Sequence, residues 1–318
     1  MRHNAEMTSI AHIPVLWKEI LSFVQTSLFH GSGLCADCTL GEGGHTELLL
    51  SNFPEIEVIA FERDPDILAI AQKRLEVFSG RVEFVNSNFS GLSQLLAGRE
   101  PRYILFDYGV SSYHFDKSGR GFSLRNSEPL DMRLDKKGRN AAEILNGYSE
   151  RELTDIFFRY GEERWSKKIA AYIVKERVLS PFTTTEHLAS VVMRAIPKRF
   201  HVKNIHPATR IFQALRIAVN EELDSISSAL DGLWEILPVG GRIMAISFHS
   251  LEDRLVKKFF RDWARGCSCG LEGKSCMCTS RPFVSILTKK PVTPSDEEIH
   301  LNKRARGAKI RVCERVAL

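Results

Sequence analysis

The sequence predicts an α/β fold: a mostly parallel sheet interrupted by a helical insertion. Three observations carry this. Short apolar runs at 34–36, 58–61, 81–85, 103–106 and 242–248 are separated by helical periodicity. A glycine-rich turn, Gly41-Glu42-Gly43-Gly44, follows the first run and opens an apolar helical segment at Leu48, Leu49 and Leu50. Between 112 and 206 the strand–helix alternation lapses, leaving loops and amphipathic helices.

The first run is a buried strand that breaks at the glycine turn. Such a turn points backbone N–H groups at open space, and glycine lets a ligand approach the main chain. About twenty residues on, the second run closes on Glu62, placed to accept hydrogen bonds from two ribose hydroxyls. Strand, glycine turn, helix, strand and acid suit an adenosine-type cofactor, with an ordinary βα turn as the alternative. Residues 66–78 form an amphipathic helix through Ile67, Ile70, Ala71, Leu75 and Phe78. A third strand leads to Phe89, either a purine-facing ring or a core aromatic. The fourth ends on Asp107, where a carboxylate accepts an N–H from a substrate amine or caps a turn.

In the insertion, helices are expected over 150–178, with a break at Gly161, and over 185–196, with Pro181 and Pro197 as stops. An apolar stripe from Ile211 to Leu237 predicts one long helix, bearing a polar row of Arg210, Gln213, Arg216 and Asn220. That row either meets a polyanionic partner or clamps the insertion. Arg120, Arg125, Arg133 and Arg139, interleaved with Phe122 and Met132, suit phosphate contacts and base stacking; pairing of Asp131 with Arg133 to order a loop is the alternative. The last buried strand is followed by His249, a second polar wall for the site or a structural histidine.

With 318 residues and 26% charged side chains, the chain is a globular protein large enough for two domains. No apolar run approaches a membrane span and no secretory signal is evident, so a cytoplasmic location is expected. Seven cysteines, an odd number, suit reduced thiols better than a disulfide framework. Cys267, Cys269, Cys276 and Cys278 would suffice for a tetrahedral zinc, but Cys-x-Cys is tighter than the usual spacing, so no metal is expected. Charge is uneven: residues 112–206 hold 18 Lys/Arg against 12 Asp/Glu and 281–318 hold 9 against 4, while the remainder has 17 against 23. Basic material confined to two segments suggests a polyanionic partner.

Ten motifs in order sharpen the reading: HIPVL at 12–16, DCTLGEGGH at 37–45, FERDPD at 61–66, NFSGL at 88–92, DYGVSS at 107–112, RGFSLRNSEPLDMRLD at 120–135, GEERWSKKIA at 161–170, HPATRIFQALRIAVN at 206–220, ISFHSLEDR at 246–254 and KPVTPSDEEIHLNKRARGAKIRV at 290–312. Together they resemble the ribosomal RNA small-subunit methyltransferase H family, also called MraW. The resemblance implies a Rossmann-like class I methyltransferase domain dependent on S-adenosylmethionine, formed by 1–111 and 207–318. A helical insertion, 112–206, would serve RNA recognition. The implied reaction is methylation of N4 of a cytidine in the decoding centre of 16S rRNA, within the 30S subunit. Carried over by matching motif, Gly43, Gly44, His45, Glu62, Phe89 and Asp107 contact the cofactor, with His114 where the family has Gln and Glu62 where it usually has Asp. The expected catalytic residues are Asp107, as orienting group or base, and His249. Three other readings differ in substrate or class. They are an N4-cytosine DNA methyltransferase, against which the absent Asp-Pro-Pro-Tyr argues; a ribosome-assembly factor without turnover; and a nicotinamide dehydrogenase, against which the incomplete glycine fingerprint argues.

Overall fold

A computed structural model describes residues 14–203, 205–266 and 281–317. The apolar runs become strands β1 (Gly33–Asp37), β2 (Ile56–Phe61), β3 (Val82–Val85), β4 (Tyr103–Asp107) and β5 (Arg242–Ser247), all parallel. Two further strands, β6 (Val284–Ile286) and β7 (Lys309–Arg315), complete a seven-stranded sheet in the order β3-β2-β1-β4-β5-β7-β6, with β7 antiparallel to both neighbours. The connection direction reverses between β1 and β4. The carboxyl ends of central parallel strands beside such a reversal are where α/β sheets receive ligands. Side chains from one face of the sheet, among them Ile56, Val58, Tyr103, Leu105, Met244 and Ile310, build a core with Leu49 of helix Gly44–Asn52.

The helices of this half start and stop for local reasons. Asp64 caps Pro65–Arg74 by accepting the Asp66 N–H, with Pro65 preset for the first turn. The 66–78 helix expected from periodicity is shorter, ending at Arg74 and passing into a 3-10 turn, Glu76–Arg81. His249 caps Ser250–Arg265 reciprocally with Glu252. No described helix is long and apolar enough to cross a membrane.

The chain divides into two compact units: Met1–Gly109 with Ile226–Leu318, and Val110–Ser225. The second unit therefore extends past 206 and takes in helix Thr209–Asn220, which the sequence reading assigns to the catalytic half. Its helices include Ala141–Gly147, Glu150–Arg159, Ser166–Leu179 and Thr185–Ala195, enclosing a separate core with Phe157, Ile173, Phe182, Leu188 and Leu215. The break expected at Gly161 is present, and it needs glycine: a Cβ there would lie 2.7 Å from the Phe157 carbonyl oxygen and 2.8 Å from that of Arg210. The stripe from Ile211 to Leu237 is not one helix. Glu221 takes a left-handed conformation (φ 50°) between Thr209–Asn220 and Glu222–Leu230, and a 3-10 turn, Leu233–Ile236, follows. The four cysteines considered for zinc lie outside the described residues.

Candidate active site

The site grows from the carboxyl ends of β1, β2 and β4. After β1, the chain crosses to its neighbours through Cys38 N–H to the Leu105 carbonyl (2.9 Å) and Leu40 N–H to the Phe61 carbonyl (3.0 Å). Gly43 then caps helix Gly44–Asn52 in a left-handed conformation (φ 84°). At Gly41 an added Cβ would meet nothing nearer than the Thr39 carbonyl oxygen, 3.9 Å away, so the turn is open on that side. Gly44 is the first helical residue.

Glu62 stands just beyond β2, as expected. Its Oε2 accepts the Gly41 N–H (3.0 Å) and its Oε1 the Asp64 N–H (2.8 Å). One carboxylate thus joins the loops after β1 and β2. Burial nonetheless raises its pKa to about 7, because withdrawal from water outweighs the two N–H bonds that favour the anion.

Asp107 closes β4. Its backbone N–H donates to Thr39 Oγ1 at 2.6 Å, and its Oδ2 lies 3.5 Å from His45 Nδ1. The opposite ring nitrogen of His45, Nε2, is 2.8 Å from the Val15 carbonyl oxygen, which can only accept, so Nε2 carries a proton and Nδ1 faces the acid. Asp107 Oδ1 is buried and has no hydrogen-bond partner among the described residues. Burial lifts the Asp107 pKa to about 6; His45 opposes the rise, while Asp37 and Glu252 add to it.

Phe89 begins a 3-10 turn after β3, half-buried, with its ring edge-on to Phe106 (centroids 5.7 Å) and tilted against Tyr108 (6.0 Å). Phe106 and Tyr108 are themselves stacked at 5.2 Å. The Tyr108 hydroxyl is likewise buried and without a partner among the described residues. Two orphaned polar atoms on adjacent residues, an open glycine turn and an acid beyond β2 fit a ligand with a ribose and polar ends, as S-adenosylmethionine has.

Gly43, Gly44, His45, Glu62, Phe89, Asp107 and His249 all belong to the first unit. His249 is engaged by its own helix: Nδ1 accepts the Glu252 N–H (3.4 Å) and Nε2 lies 3.0 Å from Glu252 Oε1. His114 belongs to the second unit, where it is buried with its ring 4.9 Å from that of Phe122. Sequence reasoning missed Thr39, Tyr108 and Asp37, the last holding Thr46 Oγ1 at 2.6 Å. Tyr108 was findable from its place directly after Asp107; Thr39 and Asp37 carried no signal beyond adjacency to the glycine turn.

The polar row of Thr209–Asn220 clamps its own unit. Arg210 donates to the Glu162 carbonyl, Gln213 to that of Tyr160, Arg216 pairs with Glu222, and Asn220 bonds Leu134 and Met132. The arginines of 120–139 are likewise mostly committed. Arg120 is buried on the carbonyls of Arg133 and Leu134, Arg133 pairs with Asp131, and Arg139 lies over the Tyr148 ring.

A model of the MraW methylase family matches residues 9–316. The chain is 45% identical over 315 residues to a ribosomal RNA small subunit methyltransferase H from Geobacter sp. (strain M21), covering 98% of this chain and 100% of the relative. It is 46% identical over 319 residues to a protein of the same name from Leptospira interrogans serogroup Icterohaemorrhagiae serovar Lai (strain 56601), covering 98% and 91%. Among solved structures, an rRNA methylase from Streptococcus thermophilus aligns over 98% of this chain and 100% of its own, at TM-score 0.39 and 10% identity. Sheet order, glycine turn and a family match over nearly the whole length agree: this chain belongs to the MraW methylase family, with the Rossmann-like class I methyltransferase fold and S-adenosylmethionine as its cofactor.

Proposed function

We propose that this cytoplasmic enzyme methylates the exocyclic N4 of a cytidine in the decoding centre of 16S rRNA, with the assembled 30S subunit as substrate. The names of its relatives support an rRNA of the small subunit as the target. The observation that carries the N4 reading is the buried, unpartnered Oδ1 of Asp107 at the end of β4.

An exocyclic amine is a poor nucleophile because its lone pair is delocalised into the ring. A carboxylate oxygen that accepts one N4–H favours a pyramidal nitrogen and withdraws the proton as the N–C bond forms. S-adenosylmethionine held at the glycine turn and Glu62 would supply an electrophilic methyl group with a neutral thioether as its leaving group. Asp107 takes the N4 proton on Oδ1 and returns it to solvent. Glu62 accepts from the ribose hydroxyls, the open turn at Gly41 keeps the main chain approachable, and Phe89 with Phe106 and Tyr108 forms an apolar wall that excludes water. His249 serves through the helix it caps. The raised Asp107 pKa has a definite sign: the proton-accepting form accumulates above about pH 6, so turnover rises through that pH.

The test is methyl transfer from labelled S-adenosylmethionine to 30S subunits lacking the modification, followed by digestion to nucleosides. Label in N4-methylcytidine is expected, and Asp107→Asn should cut turnover at saturating cofactor by about a hundredfold or more. Label on another atom, or an Asp107→Asn enzyme near full speed, overturns the assignment.

A further inference from the structure

The second unit carries a surface that the site above leaves unused. Helix Ser166–Leu179 opens beside Trp165, whose ring centroid lies 5.2 Å from that of Phe200 in the 3-10 turn Lys198–Phe200. Three cations are laid on these rings. Arg164 sits 5.7 Å from the Trp165 centroid and 4.6 Å from that of Phe200; Arg199 is 4.9 Å from Phe200; Lys168 is 5.8 Å from Trp165 and 5.6 Å from Tyr172. Arg164, Arg199 and Tyr172 are exposed.

Two observations distinguish this cluster from a merely solvated basic face. First, none of the three cations has a carboxylate partner among the described residues. The nearest acid in sequence, Glu163, is buried and turned to the Trp165 N–H at 2.9 Å. Second, the aromatic rings pre-position the cations, so less side-chain freedom is lost when a ligand arrives. A guanidinium lying on a ring offers its other face for stacking and its edge N–H groups to phosphate oxygens.

We propose that Arg164, Trp165, Lys168, Tyr172, Arg199 and Phe200 form a docking platform for an unpaired RNA segment, the cations on phosphates and Tyr172 and the arginine planes on bases. This rests on the reading of the substrate as rRNA and adds where that RNA is gripped. Charge complementarity and the exposed Tyr172 ring select RNA over an apolar protein face.

The test compares the full-length enzyme with an Arg164→Gln, Lys168→Gln, Arg199→Gln triple variant and with Tyr172→Ala. Binding to a protein-free 16S rRNA fragment is measured against salt, and kcat and KM are measured on 30S subunits. Loss of three phosphate contacts should flatten the slope of log affinity against log salt by about 2, at roughly 0.7 per single-stranded contact. KM for subunits should rise at least about tenfold, while kcat, cofactor affinity and melting temperature hold. Tyr172→Ala should weaken binding by about fivefold or more with the salt slope unchanged, as lost stacking predicts. Unchanged slope and KM overturn the platform. A raised KM on subunits with an unchanged slope on naked rRNA overturns it in favour of a ribosomal-protein contact. Absent N4 methylation by the wild-type enzyme would sink the substrate assignment separately, and the slope on naked rRNA would still report on the platform.

Discussion

Glu62 and Asp107 are both half-buried carboxyls whose ionised forms the fold disfavours, with pKa values raised to about 7 and about 6. Their folded values exceed their unfolded ones, so the unliganded protein binds more protons folded than unfolded. These two groups therefore lose stability as pH rises from about 4 to 7 and restore it as pH falls through the same window. A ligand that donates hydroxyl hydrogen bonds to Glu62 needs the anion, so binding must expel the proton. Cofactor affinity should be full only about a unit above pH 7 and weaker by about tenfold at pH 6, since a group of pKa about 7 is then only about one-tenth ionised. Calorimetry in buffers of different ionisation enthalpy should show proton release near pH 7, and Glu62→Gln should abolish that release. Equal release by the wild type and Glu62→Gln would mean Glu62 does not take the ribose.

At the scale of elements, Asn220 shows how a polar helix position becomes structural. It is 2% exposed, its Oδ1 accepts the Leu134 N–H at 2.9 Å, and its Nδ2 donates to the Met132 carbonyl at 2.7 Å. Met132 has a left-handed backbone (φ 60°), a conformation that a methionine holds only when its surroundings fix it. Asn220→Ala leaves a buried donor and acceptor unpaired, and should destabilise the protein by about 2–4 kcal/mol in urea melts without changing cofactor affinity. A loss below about 1 kcal/mol would show that the loop is held by other means. Such bonds were not legible beforehand: helical spacing places Asn220 beside Arg216 but says nothing of a loop almost ninety residues away in sequence. The five parallel strands were legible because each is a short apolar run beside a turn. Strand β7 was not, since a run with Lys309, Arg311, Glu314 and Arg315 looks like a solvated tail; Arg311 is buried only because Asp253 pairs with it at 2.7 Å. The helix break at Glu221 escaped for a related reason. A left-handed residue at one position leaves the apolar spacing on either side intact. Gly43, Glu62 and Asp107, by contrast, were legible because strand ends fix them locally, whereas Tyr108 reveals its orphaned hydroxyl only once the aromatic wall is assembled.

For the whole molecule, the course of the chain decides which segment is a folding unit. The insertion expected from the sequence, 112–206, stops before helix Thr209–Asn220. That helix contributes Ile211, Phe212, Ala214 and Leu215 to the buried core of the second unit, besides the Asn220 bonds. Each large apolar side chain withdrawn from water stabilises by roughly 1.5–3 kcal/mol, so losing these removes most of the 5–15 kcal/mol that a domain usually possesses. An isolated 110–225 fragment should therefore be helical and melt in one cooperative transition. A 112–206 fragment should show neither a sharp melt nor dispersed amide signals. The comparison is direct, by circular dichroism and proton–nitrogen correlation spectra of the two purified fragments. Cooperative folding of the shorter fragment would mean that helices 150–159, 166–179 and 185–195 close a core among themselves, and that Thr209–Asn220 is an addition to the unit instead of a part of its foundation.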